Sequence, residues 1–97
     1  MKQPCTFILA NRPNGTLYVG VTSDLPKRVW QHKNNLVDGF TKKYQVHRLV
    51  WYEQHETMDS AINREKQLKS GSRQKKIAMI QAMNPTWIDL YDNIASL

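Results

Sequence analysis

Four side chains in this 97-residue sequence carry groups suited to breaking a phosphodiester bond: Tyr18, Arg28, His32 and Glu65. They are a phenol, a fixed cation, a proton-transfer group and a carboxylate. A carboxylate can hold a divalent cation that polarises the scissile phosphate, and an arginine can neutralise charge building on the phosphate oxygens. A phenol or an imidazole can take the proton of an attacking water. With a single obvious metal carboxylate, a symmetric two-metal site is not expected.

Local patterns show how these groups must be held. The apolar run "TFILA" is followed by "NRPNGT", whose Pro13 and Asn14-Gly15 predict a hairpin turn, and "LYVGVT" returns as a second strand. Strand side chains alternate, so Tyr18, Gly20 and Thr22 share a face opposite Leu17, Val19 and Val21. A tyrosine beside a glycine suggests open space where a phosphate can approach. Ser23 or Asp24 caps a helix with Pro26 in its first turn, running to about Lys33. Arg28 and His32 lie one turn apart on it and can reach a common point. "NNLVDGFTKKYQ" reads as a polar loop and "HRLVWYEQ" as a third strand. Thr57 or Asp59 opens a helix over "MDSAINREKQLKS"; Gly71 breaks it, and Ser72 caps another over "RQKKIAMIQAM". Asn84-Pro85 starts a short terminal helix, "PTWIDLYDNI", with Trp87, Leu90 and Tyr91 or Ile94 as its apolar stripe. The order β-β-α-β-α-α-α predicts an α+β fold, a small three-stranded, mainly antiparallel sheet flanked by helices, in one domain over residues 1–97.

Glu65 breaks a pattern. Met58, Ala61, Ile62 and Leu68 mark the inward stripe of its helix, and the carboxylate falls within that stripe. Burying an unpaired charge is costly. Three explanations stand: Glu65 reaches solvent at the rim, pairs with a buried arginine, or binds a metal at the floor of a cleft. Arg28 and His32 have ordinary explanations too, a basic stem along the core edge and a histidine near a helix C-terminus.

Composition narrows the partner. The net charge of +6 predicts a polyanion, nucleic acid ahead of an acidic membrane. Arg64, Lys66, Lys69, Arg73, Lys75 and Lys76 cluster against the single acid Glu65, and Lys42 and Lys43 form a second group. Aromatics are sparse near these basics, which favours phosphate-backbone contact over a single-strand stacking platform. Cys5 is the only cysteine, so neither an internal disulfide nor a Cys-cluster zinc site can form. No run approaches the ~20 apolar residues of a membrane span, and the start lacks a cleavable signal pattern, so the expected compartment is the cytoplasm.

Together these motifs resemble a GIY-YIG nuclease, from about Cys5 to the end of the chain. The second tripeptide of that family stands here as Tyr18-Val19-Gly20, within "GTLYVGVTSDLPKRVWQH". The family's arginine falls on Arg28, its frequent histidine on His32, and its metal-binding glutamate on Glu65 within "AINREKQLK". The chain is most similar to the small stand-alone bacterial members, modules like the N-terminal nuclease domain of a repair excinuclease, which also carry a "SRQKKIAMI"-like helix and an ending similar to "NPTWIDLY".

The resemblance implies Mg²⁺-dependent endonucleolytic cleavage of DNA, with Mn²⁺ as a substitute, structure-selective and linked to repair or recombination, or guided by a protein partner. RNA stays open as a target. Two positions depart from the family pattern. The first tripeptide falls on Cys5-Thr6-Phe7, so a phenylalanine replaces its tyrosine. Phe7 can fill the ring-shaped space and support Tyr18, but it moves no proton. Gly20 would support the site by leaving it room. Asn84 is the candidate for the family's late asparagine, and is read as a helix cap first and a site residue second. One alternative is a nucleic-acid-binding protein of the same fold with a weak or silent site; another is a protein-interaction module with an acidic partner.

Overall fold

The first apolar run becomes the centre of the sheet. In the computed structural model, which describes residues 3–94, β1 (Cys5–Ala10) pairs antiparallel with β2 (Leu17–Thr22) on one side and β3 (Arg48–Gln54) on the other. Every residue of β1 is buried. Alternation sends Cys5, Phe7 and Leu9 to one face, under α1 (Leu25–Lys33), where they pack with Leu25, Val29 and Leu49. It sends Ile8 and Ala10 to the other, where they pack with Val19, Val50, Trp51 and Leu68 under α3 (Met58–Ser70) and α4 (Arg73–Met83). Thr6 also faces this second layer, and its hydroxyl donates to the Ala61 carbonyl at 2.8 Å. A buried hydroxyl is thereby satisfied by the helix that covers it.

The expected capping residues start the helices. The Asp24 carboxylate accepts from the Lys27 amide, Thr57 from Ser60 and Ser72 from Lys75. The α+β class and the three-stranded antiparallel sheet agree with the sequence reading. Two elements do not. The polar loop contains a short helix, α2 (Phe40–Lys43), entered through Gly39 at φ +102°, a backbone conformation that glycine adopts without strain. The terminal helix is absent: residues 85–90 are irregular, and only a 3-10 turn forms at Tyr91–Ile94. Its apolar residues Trp87, Leu90 and Ile94 are buried as expected. Polar side chains set their path instead of a helix. The Asn84 amide donates to the Val50 and Ile88 carbonyls and accepts from the Ile88 amide. Asp89 accepts from the Leu49 amide, while the Leu90 amide donates to the Leu49 carbonyl. The segment therefore bonds to β3 at Leu49 and Val50, near the start of the strand. Met58, expected to face inward, is 36% exposed at the first turn of α3.

Gly20 and Phe7 lie opposite each other across β1 and β2. A Cβ on Gly20 would stand 2.5 Å from Cζ of Phe7, so the ring occupies the space that the glycine leaves. The expectation that Gly20 opens room for a phosphate is therefore corrected: that room is filled by Phe7, which is itself buried. Gly20→Ala should lower stability by about 1–3 kcal/mol through overpacking. In a Phe7→Leu background the same change should cost clearly less. A double-mutant cycle of urea midpoints measures this coupling, and additive costs would contradict the close approach.

Candidate active site

Among the described residues β2 pairs on one side only, with β1, so its outer edge is free. α1 lies over one face of the sheet at this edge, and α3 packs across β1 and β2 on the other. Side chains from both layers can converge along this rim.

Tyr18 stands half-buried on the α1 face, with its ring centroid 5.3 Å from that of His32 and 6.4 Å from that of Phe7. His32 is buried at 1% exposure beneath it. Nδ1 of His32 lies 2.9 Å from the hydroxyl of Thr41, a buried residue of α2, and Nε2 has no protein partner. Burial, and secondarily the Arg28 and His47 charges, push the His32 pKa down to about 4. The imidazole is therefore neutral near pH 7. A surface histidine at a helix end is not what the structure contains.

Arg28 is half-buried one turn before His32, and its Nη1 donates to Gln31 at 3.2 Å. It lines a hollow with Val21, Thr22, Asp24 and Lys27, about 10 Å along β2 from Tyr18 at the usual strand rise. Glu65 approaches from the other layer. Its neighbour Arg64 turns toward β3, where Nε meets the Glu53 carboxylate at 3.1 Å and the guanidinium sits over Trp51. A helix rotates ~100° per residue, so Glu65 is carried toward the β2 flank. Its side chain is 18% exposed and pairs with Lys69 at 3.2 Å. Its ion-pair partner is thus the exposed Lys69 and not a buried arginine, which leaves the rim and the metal-binding explanations standing together. Lys69 in turn lines a hollow with Tyr18, Val19, Phe40 and Lys76.

Among the described residues, no three His, Cys, Asp or Glu side chains gather as a metal cluster. A lone, water-accessible carboxylate suits a hard dication that keeps most of its waters and takes oxygen from a substrate phosphate. It does not suit zinc, which needs nitrogen or sulfur donors in a closed set. The Lys69 ion pair is a surface one, and such pairs contribute at most about 1 kcal/mol, so it can give way to a cation.

The remaining predicted residues divide. Lys42, Lys43, Lys66 and Lys75 are exposed. Lys76 is half-buried and donates to the Gly71 carbonyl. Arg73 is exposed, but its Nη2 donates to the carbonyls of Asn14 and Gly15, tying α4 to the hairpin turn. Asn84 is buried on the β3 side of the sheet with its amide spent on backbone groups, as a structural link.

Three residues at the rim escaped the sequence reading: Phe40, Thr41 and Tyr44. Phe40 and Tyr44 are both 45% exposed. The Phe40 ring lies 6.4 Å from Tyr18 with an interplanar angle of 26°, and 4.9 Å from Tyr44. Lys43 Nζ is 5.4 Å from the Tyr44 centroid. The aromatics are thus not sparse beside the basic side chains. The i, i+4 spacing of Phe40 and Tyr44 was the available signal, in a stretch read as loop.

The family model for the GIY-YIG catalytic domain matches residues 3–78. A UPF0213 protein of Staphylococcus saprophyticus is 37% identical over 67 residues, covering 69% of this chain and 82% of that protein. A UPF0213 protein of Staphylococcus epidermidis is 37% identical over 68 residues, covering 70% and 83%. The solution NMR structure of a UPF0213 protein from Bacillus halodurans superposes with a TM-score of 0.53 at 23% identity, covering 100% of this chain and 97% of that one. That likeness establishes the shared fold.

The buried imidazole gives the fold an acid limit. His32 binds a proton in the unfolded chain below about pH 6.5 but in the folded one only near pH 4. The unfolded state therefore binds more protons between these values, and stability falls as pH drops through that window. The unfolding free energy from urea titrations should decline from pH 7.5 to pH 4.5, by up to about 3 kcal/mol from this group. His32→Asn should show a shallower pH slope than the unsubstituted protein.

Proposed function

Because the chain belongs to the GIY-YIG family, whose nucleases are generally metal-dependent, we propose that it is a Mg²⁺-dependent DNA endonuclease. The observation that carries this reading is the position of Tyr18 at the free edge of β2, between the helix bearing Arg28 and the helix bearing Glu65. Glu65 holds Mg²⁺ (or Mn²⁺), which when bound polarises the scissile phosphate and offsets its charge. Tyr18 is the general base toward the attacking water. Arg28 neutralises charge developing on the phosphate oxygens. His32 is too deeply buried to meet substrate and serves as a positioning residue beneath the Tyr18 ring. Lys42, Lys43, Lys66, Lys69, Lys75 and Lys76 hold the phosphate backbone, while Arg73 adds charge from a side chain engaged with the hairpin. Among the described residues no helix is long and apolar enough to cross a membrane, and we assign the activity to the cytoplasm.

Phe7 favours a second reading, a nucleic-acid-binding protein with a silent site. Its para carbon lies over Gly20 on β2, where a tyrosine hydroxyl would project beyond the glycine toward the strand edge. The phenylalanine leaves that hydroxyl out.

Labelled duplex, nicked, branched and single-stranded DNAs, with RNA as control, separate the two. Metal-dependent cleavage should be seen with the unsubstituted protein and fall about 100-fold or more in Glu65→Gln, with binding retained and steeply salt-dependent. Preference for nicked or branched forms would tie the enzyme to repair or recombination. Salt-sensitive binding without turnover, gained only on Phe7→Tyr, would establish the silent site instead.

A further inference from the structure

We propose that Tyr18, Phe40 and Tyr44 form a ledge on which unpaired nucleobases stack, so that the strand entering this site is single-stranded at the ledge. The three rings follow one another, Tyr18 to Phe40 at 6.4 Å and Phe40 to Tyr44 at 4.9 Å. Phe40 and Tyr44 leave nearly half their surface to solvent, as Trp30, Leu36 and Ile88 do elsewhere, but these two rings stand in a row with Tyr18. Lys43 lies beside the last ring, while Lys69 and Lys76 line the hollow shared by Tyr18 and Phe40. Aromatic rings flanked by cations suit a polyanion whose bases are free to stack, since every base offers a face whatever its sequence. Duplex DNA keeps its base faces inside the helix, and would meet only the lysines.

The ledge is fixed rather than a loose loop tip. Thr41, between the rings in sequence, is buried with its hydroxyl 2.9 Å from His32 Nδ1, and its carbonyl accepts from the Val46 amide. The Tyr44 amide donates to the Phe40 carbonyl, which holds the two rings on one side of α2. Tyr18 is at once the inner ring of this row and the proposed base, so a base stacked on Phe40 sets its own phosphodiester close to the reacting phenol. The ledge rests on the nuclease reading for its purpose, but not for its detection.

The test is binding in EDTA, where metal-dependent cleavage cannot occur, using 12-nucleotide single-stranded DNA and RNA carrying 2-aminopurine and the same DNA as a duplex. Binding should change 2-aminopurine fluorescence in the single strands only. Phe40→Ala and Tyr44→Ala should each weaken single-strand binding about tenfold and leave duplex binding within about twofold. Phe40→Leu should lose as much as Phe40→Ala, because it keeps apolar bulk without a π-face, and Phe40→Trp should retain binding. Circular dichroism and urea midpoints confirm that these exposed substitutions fold. Equal losses on single strand and duplex, or none, would overturn the ledge. So would a concentration-dependent dimer that Phe40→Ala abolishes, which would assign the rings to self-association. Cleavage assays keep the two readings apart. A ledge signature without metal-dependent cleavage sinks only the nuclease, whereas Glu65-dependent cleavage with no ledge signature sinks only the ledge.

Discussion

A strand buried along its whole length, with helices over both faces, determines where chemistry can happen in this small protein. β1 contributes Phe7 and Leu9 to one layer and Ile8 and Ala10 to the other. Neither face of the sheet is left for a ligand. The start of the outer edge of β3, at Leu49, is taken by the segment around Asp89 and Leu90. The outer edge of β2 remains, and both helical layers overhang it. Tyr18, Arg28 and Glu65 come from a strand and two helices that share little except their relation to that edge.

The fit between Phe7 and Gly20 belongs to the same constraint. A sheet edge offers no pocket of its own, so its shape comes from whatever fills the hollows beside it. Here an aromatic ring from the central strand reaches across the glycine of the edge strand. A ring without a hydroxyl keeps the packing and leaves one polar group fewer at the rim. Structure and chemistry can therefore separate at this position: Phe7 preserves the shape on which Tyr18 rests while contributing no proton transfer.

Much of this was legible from residue order. The strands and main helices carry local signals, namely alternation, Asn14-Gly15 and the capping side chains of Asp24, Thr57 and Ser72. The residue types at positions 18, 28, 32 and 65 also suggested the chemistry proposed above. What could not be read depended on distant partners. α2 is four residues long, so the single i, i+4 pair of Phe40 and Tyr44 is its one local signal, and its place is secured by Thr41 against His32. The terminal stretch has a helical apolar pattern, yet Asn84 and Asp89 bond to β3 and to nearby backbone, and these tertiary bonds outweigh a weak helical preference. Burial of His32 was equally hidden. A histidine near a helix end looks solvated until the elements that cover it are placed. The charge of Arg73 was plain, but not its engagement with the hairpin turn.

The free edge of β2 has a consequence for the life of the protein in a crowded solution. A strand with unpaired amides and carbonyls is a template on which another chain can add, and sheets with bare edges tend to aggregate. Among the described residues, the segment 84–90 bonds to β3 at Leu49 and Val50, and the outer edge of β2 is unpaired. Lys27, Arg28, Lys69 and Lys76 line the hollows beside it, so two copies meeting edge to edge bring like charges together. The same cations that welcome a polyanion thus act as gatekeepers against the protein's own kind. Their screening by salt weakens both effects at once.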